Sequence, residues 1–341
     1  MSESTINRKL DPGKVRSLQR ATSKDGFFLV CALDHLSDFA ELLGPDVSKI
    51  GFSDVVRAKD AIIRAVSPSV SAVLIDPLYA LGHLGISGAV PRDVGLMAPL
   101  EDEDYAIPAG PRRTRLREGW SMAQIKASGA DVAKLLWFFR PDGDQATADA
   151  QRELVADLVR QSEELSIPLV VEPIWYPLPG EDASTDAWKA ARAAGIIASA
   201  IEADRLGVDV LKVEFPGYVD TQEGIDAARK ACVELDSAVS APWVILSAGV
   251  GFEDFVTQLE LACEAGSSGY MAGRSVWRDA VSTVDPTARA EAVSASLSRI
   301  ERLNSVTRKH GRPYLPGVSL DEALSSLTED WFTSWHAAVK A

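Results

Sequence analysis

Polar residues capable of chemistry interrupt or close a series of short apolar runs in this 341-residue chain. Asp34 follows Phe-Leu-Val-Cys-Ala-Leu, and Asp76 follows Ala-Val-Leu-Ile. Lys134 sits inside Val-Ala-Lys-Leu-Leu-Trp-Phe, and Glu172 closes Leu-Val-Val-Glu. Lys212 and Glu214 share Val-Leu-Lys-Val-Glu-Phe-Pro, Ser247 follows Trp-Val-Ile-Leu, and Arg274 follows Tyr-Met-Ala-Gly. A charge inside an apolar strand costs on the order of several kcal/mol unless it is paired or neutralised. One such residue reads as an incidental core ion pair, but a whole set at comparable depth would be a poor way to build a core.

Lys212 is the sharpest of them. A lysine becomes a nucleophile when its ammonium is desolvated or held near a second cation, which lowers its pKa and frees the amine. Lys134 is placed to be that cation. Glu172, on the run between the two, is placed to shuttle protons while an amine adds to a carbonyl and water leaves. Lys212 and Glu214 are two apart and share a face, so Glu214 is expected to pair with either lysine. A buried Lys–Glu bridge without chemistry is the plainer alternative for that spacing. Asp34 and Asp76 are expected to meet substrate, and His35 to hydrogen-bond a hydroxyl or to titrate near neutral pH.

A second cluster suits an anion. Ser247-Ala-Gly249-Val-Gly251 follows one run, and Ala272-Gly273-Arg274-Ser275 follows the next, ahead of a short helical stretch. Glycines let backbone N–H groups approach a ligand, and a helix start adds a favourable dipole.

The elements that must carry these residues alternate. Eight β-rich runs, at Phe27–Leu33, Ala72–Ile75, Val94–Ala98, Val132–Phe139, Leu169–Ile174, Val208–Phe215, Trp243–Leu246 and Gly269–Ala272, lack polar alternation, as parallel strands buried on both faces do. Amphipathic stretches between them predict helices at Ser53–Val66, Arg115–Ser128, Gln145–Leu165, Thr185–Leu206, Gln222–Leu235 and Phe252–Ala265. Gly129 and Gly207 stand where a helix stops and a strand begins. Eight alternations without a Gly-x-Gly-x-x-Gly turn predict an α/β fold, a single (β/α)8 TIM barrel over about residues 25–285, with extra C-terminal helices over 286–341 in the same domain. The loops after strands seven and eight are a recurring phosphate site in such barrels.

A formal charge of −14 argues against a nucleic-acid partner but not against a small anion held by a few focused cations. The N-terminus lacks the apolar segment of a signal peptide, and no window approaches a membrane span, so a cytoplasmic protein with no membrane partner is expected. Cys31, Cys232 and Cys263 read as structural thiols. The four histidines, His35, His83, His310 and His336, have no ligand spacing, so no metal is expected.

The stretches GVDVLKVEFP (207–216), PWVILSAG (242–249) and AGSSGYMAGRSVW (265–277) resemble the tagatose 1,6-bisphosphate aldolases and, equally, the bacterial sulfofructose-phosphate aldolases. GADVAKLLWFF (129–139), VVEP (170–173) and ALD (32–34) match in the same order, so the resemblance spans about Phe27 to Trp277. It implies a metal-independent class I aldolase without cofactor. Such an enzyme cleaves a small-molecule sugar phosphate through a Schiff base on Lys212. The resemblance makes Lys134 the second active-site lysine, Glu172 the acid/base and Asp34 the strand-one aspartate, with Ser247, Gly249, Gly273 and Arg274 holding phosphate. It also implies a homo-oligomer. One departure stands out: where the family usually reads Asp-Gln-Arg, this chain reads Asp34-His35-Leu36. Either Arg112, Arg113 or Arg115 replaces the missing cation, or the distal end of the substrate is uncharged. The same imine chemistry on a sulfo, deoxy or non-bisphosphorylated sugar is the first alternative. A non-catalytic sugar-phosphate-binding barrel is the second.

Overall fold

The structure, a computed structural model, describes residues 11–102, 111–327 and 329–334. Eight parallel strands close a barrel in simple sequence order: β1 (Phe28–Leu33), β2 (Ala72–Ile75), β3 (Gly95–Pro99), β4 (Val132–Phe138), β5 (Leu169–Ile174), β6 (Val210–Val213), β7 (Trp243–Leu246) and β8 (Gly269–Ala272). The helices are α1 (Pro12–Ala21), α2 (Ser37–Leu43), α3 (Phe52–Val66), α4 (Leu81–Ile86), α5 (Met122–Ala127), α6 (Gln145–Leu165), α7 (Asp186–Arg205), α8 (Gln222–Ala238), α9 (Phe252–Ala265), α10 (Arg274–Ser282), α11 (Pro286–His310), α12 (Leu320–Ser326) and α13 (Trp331–Ser334). This is the TIM barrel with C-terminal helices that the alternating pattern predicts. Gly129 and Gly207 take φ of 87° and 90°, the left-handed conformation of a helix stop.

Strand parity separates two apolar sets. One set, including Leu29, Cys31, Leu33, Ala133, Leu135, Val171 and Leu211, packs outward against the helices. The other fills the barrel interior with Phe28, Val30, Ala32, Val132, Val170, Val210, Val244 and Met271. Residues two apart on a strand share a face. Asp34, Lys134, Glu172 and Lys212 each lie two residues beyond an interior residue, Ala32, Val132, Val170 and Val210 respectively. The barrel interior therefore changes from apolar to charged at its C-terminal end, where active sites of this fold lie. Its N-terminal end is closed by Leu18 and Ala21 of α1 and by Tyr314, whose ring stacks on Phe28 at 5.9 Å. The long helix α11 lies elsewhere, packing along the outside against α3, α9 and α10.

One predicted helix is shorter than its pattern. Of 115–128 only Met122–Ala127 is helical, because residues 115–117 pair antiparallel with the chain after β3. Asp102 donates to the Arg115 carbonyl at 2.8 Å and Arg117 to that of Leu100 at 3.0 Å. The buried Cys31, Cys232 and Cys263 are free thiols, and no described helix is long and apolar enough to cross a membrane.

Candidate active site

A cavity of about 210 Å³ opens at the C-terminal end of the barrel. Its floor is a run of buried charges. One carboxylate oxygen, Glu172 Oε2, lies 2.8 Å from Lys134 Nζ and 2.9 Å from Lys212 Nζ. Lys134 also contacts Asp34 at 3.2 Å and is hydrogen-bonded to Glu101. Burial pushes the Glu172 and Asp34 carboxyls up, but Lys134 and Lys212 outweigh it and leave both below the usual carboxylate range. Lys134 is thus enclosed by three carboxylates, so it stands beside Lys212 as a partner in a compensated network, not as the bare cation that the strand pattern suggests.

Glu101 is absent from the sequence-based set. It is buried beyond the end of β3, held by the short bridge to 116 and by the Leu136 N–H at 3.1 Å. The signal was present: Gly-Leu-Met-Ala-Pro-Leu ends in a carboxylate as the other runs do.

Two other expectations are corrected. Glu214 does line the cavity, but it pairs with neither lysine. Its carboxylate accepts from Arg192 at 2.9 Å and from the Trp175 N–H at 2.9 Å. The strand ends at Val213, and the chain turns Glu214 toward α7. Asp76 is fully buried, pairs with Lys59 of α3, and is not among the residues lining the cavity. The turn after Ile75 carries it behind β1.

His35 lines the cavity edge-on to Trp277, with ring centroids 5.3 Å apart. Its Nδ1 is buried 3.6 Å from Asp34 Oδ1 and makes no hydrogen bond among the described residues. Burial, aided by Arg274, Lys212 and Lys59 against the pull of Asp34, lowers its pKa to about 3, so the ring is neutral and offers a hydrogen bond rather than a charge.

The β7 and β8 ends meet on one wall. The Gly273 N–H donates to Ser247 Oγ at 3.3 Å, and α10 begins at Arg274. Ala248 and Gly249 take φ of 46° and 75°, an unusual pair that turns the β7 loop tightly. A β-carbon on Gly249 would lie 3.2 Å from Arg274 Nε and 3.3 Å from an Arg278 nitrogen, so glycine admits both guanidiniums. Arg278 was not anticipated. Arg274 is oriented by Asp38 at 3.1 Å.

Of the three candidate replacement cations, Arg112 lines the cavity, with its guanidinium over Phe138 at 5.2 Å and Tyr176 at 5.6 Å. Arg113 and Arg115 are exposed. Glu260, Glu264 and His310 form a group of potential metal ligands among the described residues, but on the outer surface, with Arg229 paired to Glu264.

A family model described as DeoC/LacD family aldolase matches residues 33–279. The chain belongs to this aldolase family. It is therefore a carbon–carbon lyase. The aldolase is 26% identical over 320 residues to tagatose 1,6-diphosphate aldolase 1 of Enterococcus faecalis, covering 89% of this chain and 97% of that one. It is 24% identical over 329 residues to tagatose 1,6-diphosphate aldolase 2 of Streptococcus mutans, covering 91% and 99%. Among solved structures it shares the fold of an archaeal fructose 1,6-bisphosphate aldolase, with a TM-score of 0.58 at 18% identity over 86% of this chain and 99% of that one.

Proposed function

We propose that the aldolase forms a Schiff base through Lys212 and reversibly cleaves a ketose 1-phosphate into dihydroxyacetone phosphate and an aldehyde. The observation that carries this reading is the single Glu172 oxygen shared by two buried lysines. A proton on either amine is one hydrogen bond from a carboxylate that also reaches the other.

The Lys212 amine adds to the ketone carbon, and Glu172 passes the protons that let the carbinolamine lose water. The resulting protonated imine is an electron sink. Glu172, or a water it holds, removes the carbon-four hydroxyl proton, the bond between carbons three and four breaks, and its electrons neutralise the iminium as an enamine. The aldehyde departs. Protonation of the enamine at carbon three and return of water release dihydroxyacetone phosphate and the free amine. Ser247, the Gly249 and Gly273 backbone and Arg274 hold the 1-phosphate at the start of α10, spending binding energy on orientation. Asp34 and the neutral His35 meet substrate hydroxyls.

The relatives carry a diphosphate in their names, and Arg112, which lines the cavity, is the cation this reading gives a second anion. Its guanidinium lies over Phe138 at the end of β4, four strands around the barrel from β8, which Arg274 follows, and both cations line the cavity with Lys212. Sulfonate would satisfy the same guanidinium.

Borohydride reduction with dihydroxyacetone phosphate, followed by peptide mapping, tests the reaction. An adduct on Lys212 is expected, with Lys212→Ala folded and inactive. An adduct elsewhere, or none, overturns the reading. Cleavage assays on a ketose 1-phosphate and its 1,6-bisphosphate then test the distal end: Arg112→Gln should raise KM for the bisphosphate alone, by about tenfold.

A further inference from the structure

Behind β1 lies a buried ion pair that the chemistry above does not use. Lys59, midway along α3, and Asp76, just beyond β2, are both fully buried. The Lys59 ammonium has three hydrogens and finds three acceptors: Asp76 Oδ2, the Leu33 carbonyl at 3.1 Å and the His35 carbonyl at 2.7 Å. Those two carbonyls flank Asp34. A further carbonyl of the same stretch, that of Ala32, accepts from Trp277 Nε1 at 2.8 Å. Asp76 is itself fixed, because its other oxygen accepts from the Tyr79 N–H at 2.6 Å.

These tethers stand where the sheet stops. The β1 ladder reaches Leu33 against Ile75 on one side and Cys31 against Ala272 on the other. Asp34 and His35 lie beyond it, with no strand neighbour to set their backbone. A pair kept for stability alone would be an odd choice, since well-packed apolar residues often replace buried ion pairs at no cost. An ammonium can instead grip two carbonyls at once, which an apolar side chain cannot.

We infer that the Lys59–Asp76 pair is a positioning device that fixes the chain on both sides of Asp34, and so sets the aim of Asp34 and His35 into the cavity. Its kinetic consequence rests on the Schiff-base reading. Lys59 also lies among the cations that hold His35 neutral.

The double variant Lys59→Met/Asp76→Leu tests this, because it removes both charges and strands neither. A lowered melting temperature is expected, because the Leu33 and His35 carbonyls and the Tyr79 N–H lose these partners, while borohydride trapping of dihydroxyacetone phosphate on Lys212 should be undiminished in the folded variant. Turnover per trapped site should fall about 10- to 100-fold with KM within about twofold, as for a displaced catalytic group. Turnover per trapped site equal to wild type would overturn the inference. If the double variant does not fold, Asp76→Asn decides: it keeps an acceptor but loosens the ammonium, and unchanged turnover per site would count against positioning. If wild-type protein fails to trap on Lys212, the Schiff-base reading falls while this one is judged by a crystal structure of the variant. Asp34 unmoved from its 3.2 Å contact with Lys134 would overturn it, and a displaced Asp34 would support it.

Discussion

In the proposed reaction Glu172 is the residue on which the chemistry turns, and its surroundings define what it can do. Burial raises its pKa, yet Lys134 and Lys212 outweigh burial and hold it below the usual carboxylate range, so it is ready to accept a proton without first losing one. Glu172→Gln keeps the shape and a hydrogen-bonding oxygen but cannot carry a proton between Lys212 and substrate. Turnover should fall about 10²- to 10⁴-fold with a small change in KM, read in a coupled assay of aldehyde release. A variant retaining a tenth of wild-type turnover would remove Glu172 from proton transfer. Lys134 makes the complementary point: three carboxylates pin it, and on the proposed reading it serves to hold Glu172, Asp34 and Glu101 in register.

At the scale of elements, the strands were legible because burial on both faces leaves a continuous apolar run, and a charged residue inside such a run is conspicuous. Lys134, Glu172 and Lys212 stood out for that reason and converge on one cavity. Tertiary pairing was not legible. The 115–128 stretch has helical periodicity, but an antiparallel contact with the chain after β3 takes its first half, and that contact places Glu101. Lys59 was hidden for a related reason: within an amphipathic helix, a lysine reads as a solvated one, and only the fold shows it facing inward to three acceptors. Asp76 looked like its strand-end neighbours, and Glu214 like a partner for Lys212, because spacing does not reveal where a chain turns after its last ladder bond. The glycine loops were legible as a pair, and their conformations now sharpen the expectation. At Gly249 a side chain would meet a left-handed backbone and two guanidiniums. Gly249→Ala should raise KM for the phosphorylated ketose about tenfold while leaving Lys212 trappable at saturating dihydroxyacetone phosphate. An unchanged KM would place the phosphate elsewhere.

For the whole molecule, concentrating charge at one end of the barrel ties stability to pH. Asp34 and Glu172 titrate below their ordinary values in the folded protein, so the unfolded chain binds protons first as acid is added. Their contribution is complete above about pH 5 and is lost as pH falls through the folded values. His35 acts in the same direction by another route. Burial, its largest cause, keeps the folded ring neutral down to about 3, while the unfolded imidazole takes up a proton near 6.5. Stability from His35 is therefore full above that value and declines between 6.5 and about 3. By pH 5 the loss from this one residue is about 2 kcal/mol. Urea unfolding at pH 7.5 and at pH 5 should show His35→Gln losing about 2 kcal/mol less than wild type across that interval, since glutamine has nothing to titrate. Equal losses in the two proteins would mean that the imidazole is charged in the cavity. It would then be a third cation for a substrate anion, in place of a neutral hydrogen-bonding group beside Asp34.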